Sequence, residues 1–176
     1  MINELIESLQ KRFHYYENVG IRAIEQIKDE SKLFWQYNEQ SNSIAITVNH
    51  LHGNMLSRFT NFYTEDGEKP WRKRDAEFEN NIHSKKELLE KWHEGWNTVF
   101  DVIDNLTPEK LNGTVTIRNE QHSVIDAINR QLTHYAYHIG EIVYTAKMIC
   151  GNDWQSLTIP KGKSEEFNRK MMQKKK

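Results

Sequence analysis

The sequence has little of several features that would point to particular classes of protein. Its 176 residues include one cysteine, Cys150, so no internal disulfide can form, and this composition fits a reducing cytoplasm. The formal net charge of −1 gives no reason to expect nucleic acid or an anionic membrane as a partner. No apolar run approaches the roughly 20 residues of a membrane span, and no signal peptide is visible. We therefore expect a soluble, cytoplasmic, single-domain protein.

Four stretches carry apolar residues at steps of three and four, the spacing of helices with one buried face. They predict helices over about residues 2–28, 41–62, 84–105 and 123–150. Ser84 and Glu87 have the spacing of a capping box, and Gly151 fits a C-terminal cap. The patterns together predict an all-α fold, a four-helix bundle over residues 1–160.

A long polar connection, residues 64–82, separates the second and third predicted helices. It has a turn signal at Asp66-Gly67, alternating charges and a tryptophan, Trp71. A loop of this length in a compact domain indicates a binding loop or a lid. The alternative is a surface loop pinned by Trp71 and Phe78.

Two further segments lie outside the predicted helices. Residues 114–123 favour a small β-hairpin before the last helix, turning at Asn119-Glu120 and packed on the bundle. Residues 161–176 are predicted to form a polar, partly flexible tail, with Phe167 as its one candidate anchor. The terminal lysines, Lys174–Lys176, indicate a solvated end rather than a nucleic-acid site.

Two histidines on the last predicted helix, His134 and His138, are four residues apart and so share one face. Two imidazoles in this arrangement can bind one metal ion. His50, on the second predicted helix but off its aliphatic stripe, completes a three-histidine site if the two faces meet. Three neutral ligands suit Zn, Ni, Fe or Cu and leave a coordination position open, as in catalytic sites. The alternative is that these are hydrogen-bonded core histidines.

Other polar residues are candidates for roles beside such a site. Glu141, one turn beyond His138, is a candidate catalytic residue that would take a proton from metal-bound water, or a fourth ligand. Gln131, one turn before His134, and Asn54 are candidates for supporting the site or contacting a substrate.

The other histidines fit the site less well. His52 lies closer to the aliphatic side of the second predicted helix, which favours His50 as the third ligand without deciding it. His83 and His93 pair with no other ligand type at helical spacing, so we interpret them as surface or boundary residues.

A third side of the last predicted helix combines small residues and tyrosines with little charge. This pattern indicates that the side is covered by another helix, from this chain or from a second subunit. Its members are Ala136, Tyr137, Gly140 and Tyr144.

Three segments, Asn49–Met55, Asp66–Trp71 and His134–Ile142, resemble the DinB-like superfamily, in a bacterial branch of unassigned function. The resemblance extends from the first helix to about Phe167. It implies a four-helix bundle of DinB/YfiT type with a long crossover loop. It also implies one divalent metal ion per chain, most often nickel or zinc, held by the residues that match the family's histidines, His50, His134 and His138.

The resemblance further implies a homodimer and a small-molecule substrate. Members with assigned chemistry include S-transferases that use low-molecular-weight thiols (bacillithiol or mycothiol), a mycothiol-dependent maleylpyruvate isomerase, and metal-dependent hydrolases. Two hypotheses follow. The first is a divalent-metal-dependent enzyme, of the thiol S-transferase or hydrolase type. The second is a non-catalytic dimeric metal-binding protein in which the histidines are structural or vestigial, and the absence of an identifiable nucleophile motivates it.

Overall fold

The computed structural model describes residues 1–173, and the predicted solvated run Lys174–Lys176 lies outside them. The chain forms an all-α bundle with a small hairpin, as predicted. The helices are α1 (Ile2–Glu25), α2 (Ile44–Phe59), α3 (Lys85–Ile103), α4 (Pro108–Leu111), α5 (Val124–Cys150) and α6 (Ser164–Gln173). The hairpin pairs β1 (Thr114–Ile117) with β2 (Glu120–Ser123) in antiparallel register.

The four long helices pack around one core. Helix α1 contacts α5 and α3, and α2 contacts α3 and α5, so α5 lies between α1 and α2. Tyr135 of α5 is fully buried, and its ring lies 6.1 Å from Phe13 and 5.6 Å from Trp96, centroid to centroid. Burying such aromatic side chains stabilises the fold strongly, and their edge-to-face packing fixes the rotation of α5. The neighbouring His134 is thereby held in one position.

Side-chain caps start three of the long helices, α2, α3 and α5, within a few residues of the predicted positions. The Ser43 hydroxyl accepts the Ile46 N–H, and the Ser84 hydroxyl accepts the Glu87 N–H, both at 3.1 Å. The second bond of the predicted capping box differs, because the Glu87 carboxylate accepts the N–H of His83 at 2.9 Å. The first two long helices also end three residues earlier than predicted, at Glu25 and Phe59.

The hairpin and the long loop are joined through one carboxylate. Asp66 accepts the N–H groups of Arg118 and Asn119, each at 2.8 Å, and Gly67 donates its N–H to the Thr116 carbonyl. Arg118 and Asn119 both have positive φ, 56° and 61°, as a two-residue hairpin turn with right-handed strand twist requires. The predicted turn at Asn119-Glu120 was therefore wrong by one residue. The loop is fixed against the hairpin.

The C-terminal segment contains a helix that the sequence did not predict, α6, none of whose residues is buried. Phe167 is 43% exposed, so the suggestion that it anchors the tail in the core was wrong. Within residues 1–173, no helix combines the length and apolar character needed to cross a membrane.

Candidate metal centre

The structure brings His50 of α2 together with His134 and His138 of α5. The Nε2 atom of His134 lies 3.2 Å from Nε2 of His50 and 3.1 Å from Nε2 of His138. All three ligand atoms lie within 4.8 Å of one another. His50 and His138 are buried, and His134 is partly buried. These three side chains could hold a metal ion.

In the rings of His50 and His138, a carboxylate contact determines which nitrogen is left without a proton. Nδ1 of His50 lies 2.9 Å from Oε2 of Glu77, and Nδ1 of His138 lies 2.7 Å from Oε2 of Glu141. An imidazole that donates its Nδ1–H to a carboxylate has a bare lone pair on Nε2 when it is neutral. The lone pairs of His50 and His138 therefore point towards the same place as Nε2 of His134.

This arrangement fits a divalent metal better than a hydrogen-bonded core. If both short contacts were hydrogen bonds, Nε2 of His134 would have to donate to the lone pairs of His50 and His138 at once. A ring nitrogen carries at most one proton, so it cannot donate fully to both. Its other nitrogen, Nδ1, is buried and has no hydrogen-bond partner among the described residues. Metal–nitrogen bonds of about 2.0–2.1 Å imply ligand separations of roughly 2.9 to 3.4 Å, for right-angled to tetrahedral geometry. The two separations that involve His134, 3.1 and 3.2 Å, fall in this range.

The carboxylate behind His50 is part of a buried ion pair. Glu77 accepts bonds from Arg72 Nε at 2.7 Å and from a terminal nitrogen of Arg72 at 2.9 Å. The two side chains are 8% and 2% exposed, so the pair is almost fully removed from water. A Cβ on Gly53 would occupy the position of this carboxylate. The glycine in α2 therefore makes room for the carboxylate that orients a ligand.

The segment that carries Glu77 is itself held against α2. The Asn49 side-chain amide donates to the Glu77 carbonyl at 3.0 Å. Phe78 stacks on the His50 ring, with centroids 4.6 Å apart and planes 26° apart. These contacts place the long loop along the candidate site, with Phe78 packed as the surface-loop alternative expects, and a binding role for the loop stays a prediction. Trp71 is 53% exposed and does not pin the loop.

A pocket of about 450 Å³ opens in front of the three histidines. Both predicted supporting residues line it. Asn54 is buried and its Oδ1 accepts the hydroxyl of Tyr135 at 3.1 Å, while Gln131 is 4% exposed and its Oε1 has no hydrogen-bond partner among residues 1–173. Gln131 therefore has one unused polar atom beside the site.

Glu141, the candidate catalytic residue, is placed differently from the other candidates. Its carboxylate contacts Nδ1 of His138, the ring nitrogen on the far side from the other two histidines. It does not line the histidine pocket. In this position Glu141 orients His138, and its catalytic role stays a prediction.

The remaining histidines lie apart from the centre. Nε2 of His52 is 2.8 Å from Oε2 of Glu94, on the side of α2 that faces α3. His83 and His93 are exposed, as interpreted from the sequence.

Burial lowers the pKa of two of the three histidines, His134 and His138. Burial, with repulsion from His138 and His50 and from Arg72, lowers the pKa of His134 from 6.5 to about 3. Burial also lowers the pKa of His138, although its bond to Glu141 acts in the opposite direction. Burial would raise the pKa of Glu77, but Arg72 and His50 outweigh it and hold that pKa low. The chain thus presents two unprotonated imidazoles, those of His134 and His138, and an ionised carboxylate at Glu77, a state that favours cation binding.

The low pKa of His134 predicts a pH-dependent stability in the metal-free protein. Because His134 takes up a proton near pH 6.5 when unfolded and near pH 3 when folded, acid favours the unfolded chain. Between pH 7 and 5 this group should remove about 2 kcal/mol from the free energy of unfolding. Urea unfolding with a chelator present measures this decrease in the free energy of unfolding. From pH 7 to pH 5, the decrease should be about 2 kcal/mol smaller in His134→Gln than in wild type. His93→Gln is the control and should behave as wild type, whereas equal drops in all three proteins would contradict the assignment.

Sequence reasoning missed Glu77 and Arg72, which support His50. Both lie in the loop, 27 and 22 residues after His50, where no periodicity relates them to α2. The only available signal was a glycine at residue 53 in the interior of the predicted helix, which indicates close approach of another group.

The comparisons with known proteins give one result. Residues 1–163 match the family model described as "Protein of unknown function (DUF1572)". Neither the comparison with curated proteins nor the comparison with solved structures found a significant match. Since the matched residues include both long helices that carry the histidines and the loop between them, the chain belongs to the DUF1572 family.

Proposed function

We propose that this protein is a divalent-metal-dependent enzyme of the DinB-like superfamily, of the thiol S-transferase or hydrolase type. The observation that carries the proposal is the convergence of three imidazole nitrogens, two of them with oriented lone pairs, beside a pocket of about 450 Å³. His50, His134 and His138 would hold the ion, with nickel or zinc as the proposed metal. An enclosed structural site would not need a substrate-sized pocket in front of it.

Different residues of the chain would have different roles at the proposed site. When bound, a divalent cation lowers the pKa of a thiol or water molecule beside it. Glu77 and Glu141 orient His50 and His138, and their negative charge would partly balance that of a bound cation. Gln131 offers its unused amide oxygen to a substrate group in the pocket. A low-molecular-weight thiol is the proposed second substrate of the transferase form.

A homodimer is part of the proposal. Tyr137, Tyr144 and Met148 follow one side of α5 and are 65%, 66% and 47% exposed. Gly140 lies between the two tyrosines. Apart from its chain neighbours and its own helix backbone, no atom of the described residues lies within 4 Å of the point that a Cβ would occupy there, so a second helix could approach closely. Sedimentation equilibrium would test for twice the 21.0 kDa mass. We also place the enzyme in the cytoplasm, since Cys150 is the only cysteine.

The experiment that tests the proposed activity is a thiol-conjugation and ester-hydrolysis screen on purified protein. Protein loaded with zinc or nickel should turn over an electrophile or an ester. Chelation should abolish that turnover, and adding the metal back should restore it. If chelation lowers the melting temperature while no metal-dependent turnover is found with either class of substrate, the enzyme proposal fails. That outcome supports a non-catalytic metal-binding protein instead.

A further inference from the structure

The pocket in front of the histidines is lined by an unusual number of cations. Five arginines contribute to its wall, and among the described residues that line it none is an aspartate or glutamate. They are Arg58, Arg72, Arg74, Arg118 and Arg130. The whole chain has a net charge of only −1, so this concentration of positive charge is a property of the pocket and not of the protein.

Two carboxylates neutralise part of this charge. Glu68 lies 3.0 Å from a terminal nitrogen of Arg58 and 3.0 Å from one of Arg118, and its other oxygen lies 3.6 Å from Arg72. Glu77 pairs with Arg72 and is shared with His50. Three arginines thus share two carboxylates, which leaves the inner part of the pocket positive.

The other two arginines have no carboxylate partner among residues 1–173. Arg74 lies over the Phe78 ring, with its guanidinium carbon 5.5 Å from the centroid, a contact that leaves its N–H donors unused. Arg130 is exposed on α5, four residues before His134 and so on the same face of the helix. They come from different elements, Arg74 from the loop and Arg130 from α5.

Such a pocket favours a particular ligand chemistry. Arginine presents a planar fork of N–H donors that matches the two oxygens of a carboxylate or a phosphate. Gln131 adds a buried amide whose Oε1 is unpartnered among the described residues. A volume of about 450 Å³ admits a small molecule and not a folded or polymeric partner. A divalent cation at the histidines would raise the positive potential further.

We propose that the pocket binds a small organic oxyanion, a carboxylate or a phosphate, with Arg74 and Arg130 as its free charge partners beside the three histidines. The inference rests on the proposed function, because it names the substrate class of that same site. The substrate is thereby distinguished from neutral esters and neutral electrophiles. Its anionic group occupies the arginine side of the pocket, and its reacting group faces the histidines.

Isothermal titration calorimetry on the full chain tests this proposal with three probes, which are inorganic phosphate, malonate and the neutral isostere malonamide. Metal-free and zinc-loaded wild-type protein should both bind phosphate or malonate at one site per chain, and malonamide at least about tenfold more weakly. Which anion binds better distinguishes a phosphate substrate from a carboxylate. Raising the salt concentration should weaken the binding of both anions.

The variant Arg74→Gln/Arg130→Gln removes the two free charges and should lower the anion affinity by about tenfold or more. Arg12→Gln/Arg22→Gln, which changes two arginines of α1 that lie outside the pocket, is the matched control and should bind as wild type. Circular dichroism of all variants would verify that they fold. Equal affinity in the two double variants would overturn the proposal, as would binding seen only with zinc present, since the anion would then be a metal ligand alone.

Failure of this inference is distinguishable from failure of the proposed function. Metal analysis of the same samples reports on the metal site independently of anion binding. A protein that binds malonate through Arg74 and Arg130 but takes up no metal would keep the anion pocket and reject the metal-dependent enzyme. A protein that takes up metal but binds neither anion would keep the metal site and reject the anion pocket.

Discussion

Replacing His134 with alanine is expected to leave the protein unable to retain a divalent metal ion through dialysis. Nε2 of His134 lies 3.1–3.2 Å from both other candidate ligand atoms. Without it, only His50 and His138 remain, and two ligands hold a metal ion weakly. Loss of a residue that merely orients a ligand costs about 10–100-fold in affinity, and loss of a ligand itself should exceed that. Inductively coupled plasma mass spectrometry should find about one metal ion per wild-type chain and almost none in His134→Ala.

The matched control is His52→Ala. His52 is also a histidine of α2, two residues from His50, but its ring pairs with Glu94 away from the pocket. This variant should keep the wild-type metal content. Wild-type protein without metal after incubation with zinc or nickel, or equal content in the two alanine variants, would contradict the assignment of the centre.

Replacing Glu77 with glutamine is expected to have the largest effect on stability. The change keeps the size of the side chain but removes the charge that pairs with Arg72, whose side chain is 2% exposed. Breaking one side of a buried ion pair typically costs about 3–5 kcal/mol, because the other charge loses its direct partner. Glu68, 3.6 Å from Arg72, would remain as a weaker partner, so the lower end of that range is expected. His50 also loses its strong Nδ1 acceptor, so metal affinity should fall by about 10–100-fold. Urea unfolding of the metal-free protein and zinc titration measure the two effects separately.

Glu94→Gln provides the comparison for this variant. It likewise removes a carboxylate that contacts a histidine, His52. However, Glu94 is 63% exposed, and exposed ion pairs contribute only about 0–1 kcal/mol to the free energy of unfolding. Its metal affinity should equal that of wild type. If Glu77→Gln unfolds within about 1 kcal/mol of wild type and binds zinc equally well, then Glu77 neither stabilises the loop nor orients His50.

The helical part of the site was predictable because periodicity determines which face of a helix is buried. The spacing of His134 and His138 placed both on one side of α5, and the aliphatic stripe of α2 separated His50 from His52. The structure brings those three together, His50 with His134 and His138. The hairpin was also predictable, from an alternating segment between turn signals, although the turn lies at Arg118-Asn119 because two positive φ values are needed there.

The part of the site supplied by the loop was not predictable. Residues 64–82 have no repeating pattern, so their sequence does not say which side chains turn inward. Arg72 and Glu77 are five residues apart, with Glu77 in a short 3-10 helix, Asp75–Phe78. Their position over α2 depends on the hydrogen bonds of Asn49 and the space at Gly53. For Glu141, the sequence predicted its proximity to His138 but not the direction of its carboxylate, which depends on the side-chain rotamer.

The bond from Asp66 to the hairpin turn has a consequence for how this family could diversify. It joins the loop to the hairpin as a separate layer that lies over the bundle, and this layer supplies Arg72, Arg74 and Arg118. The histidines, in contrast, belong to helices whose other sides form the core. The three histidines and the other two arginines of the pocket, Arg58 and Arg130, come from α2 and α5. Relatives that substitute the exposed Arg74 or Arg118 would change the charge of the pocket wall while the histidines and the buried Arg72–Glu77 pair stay in place.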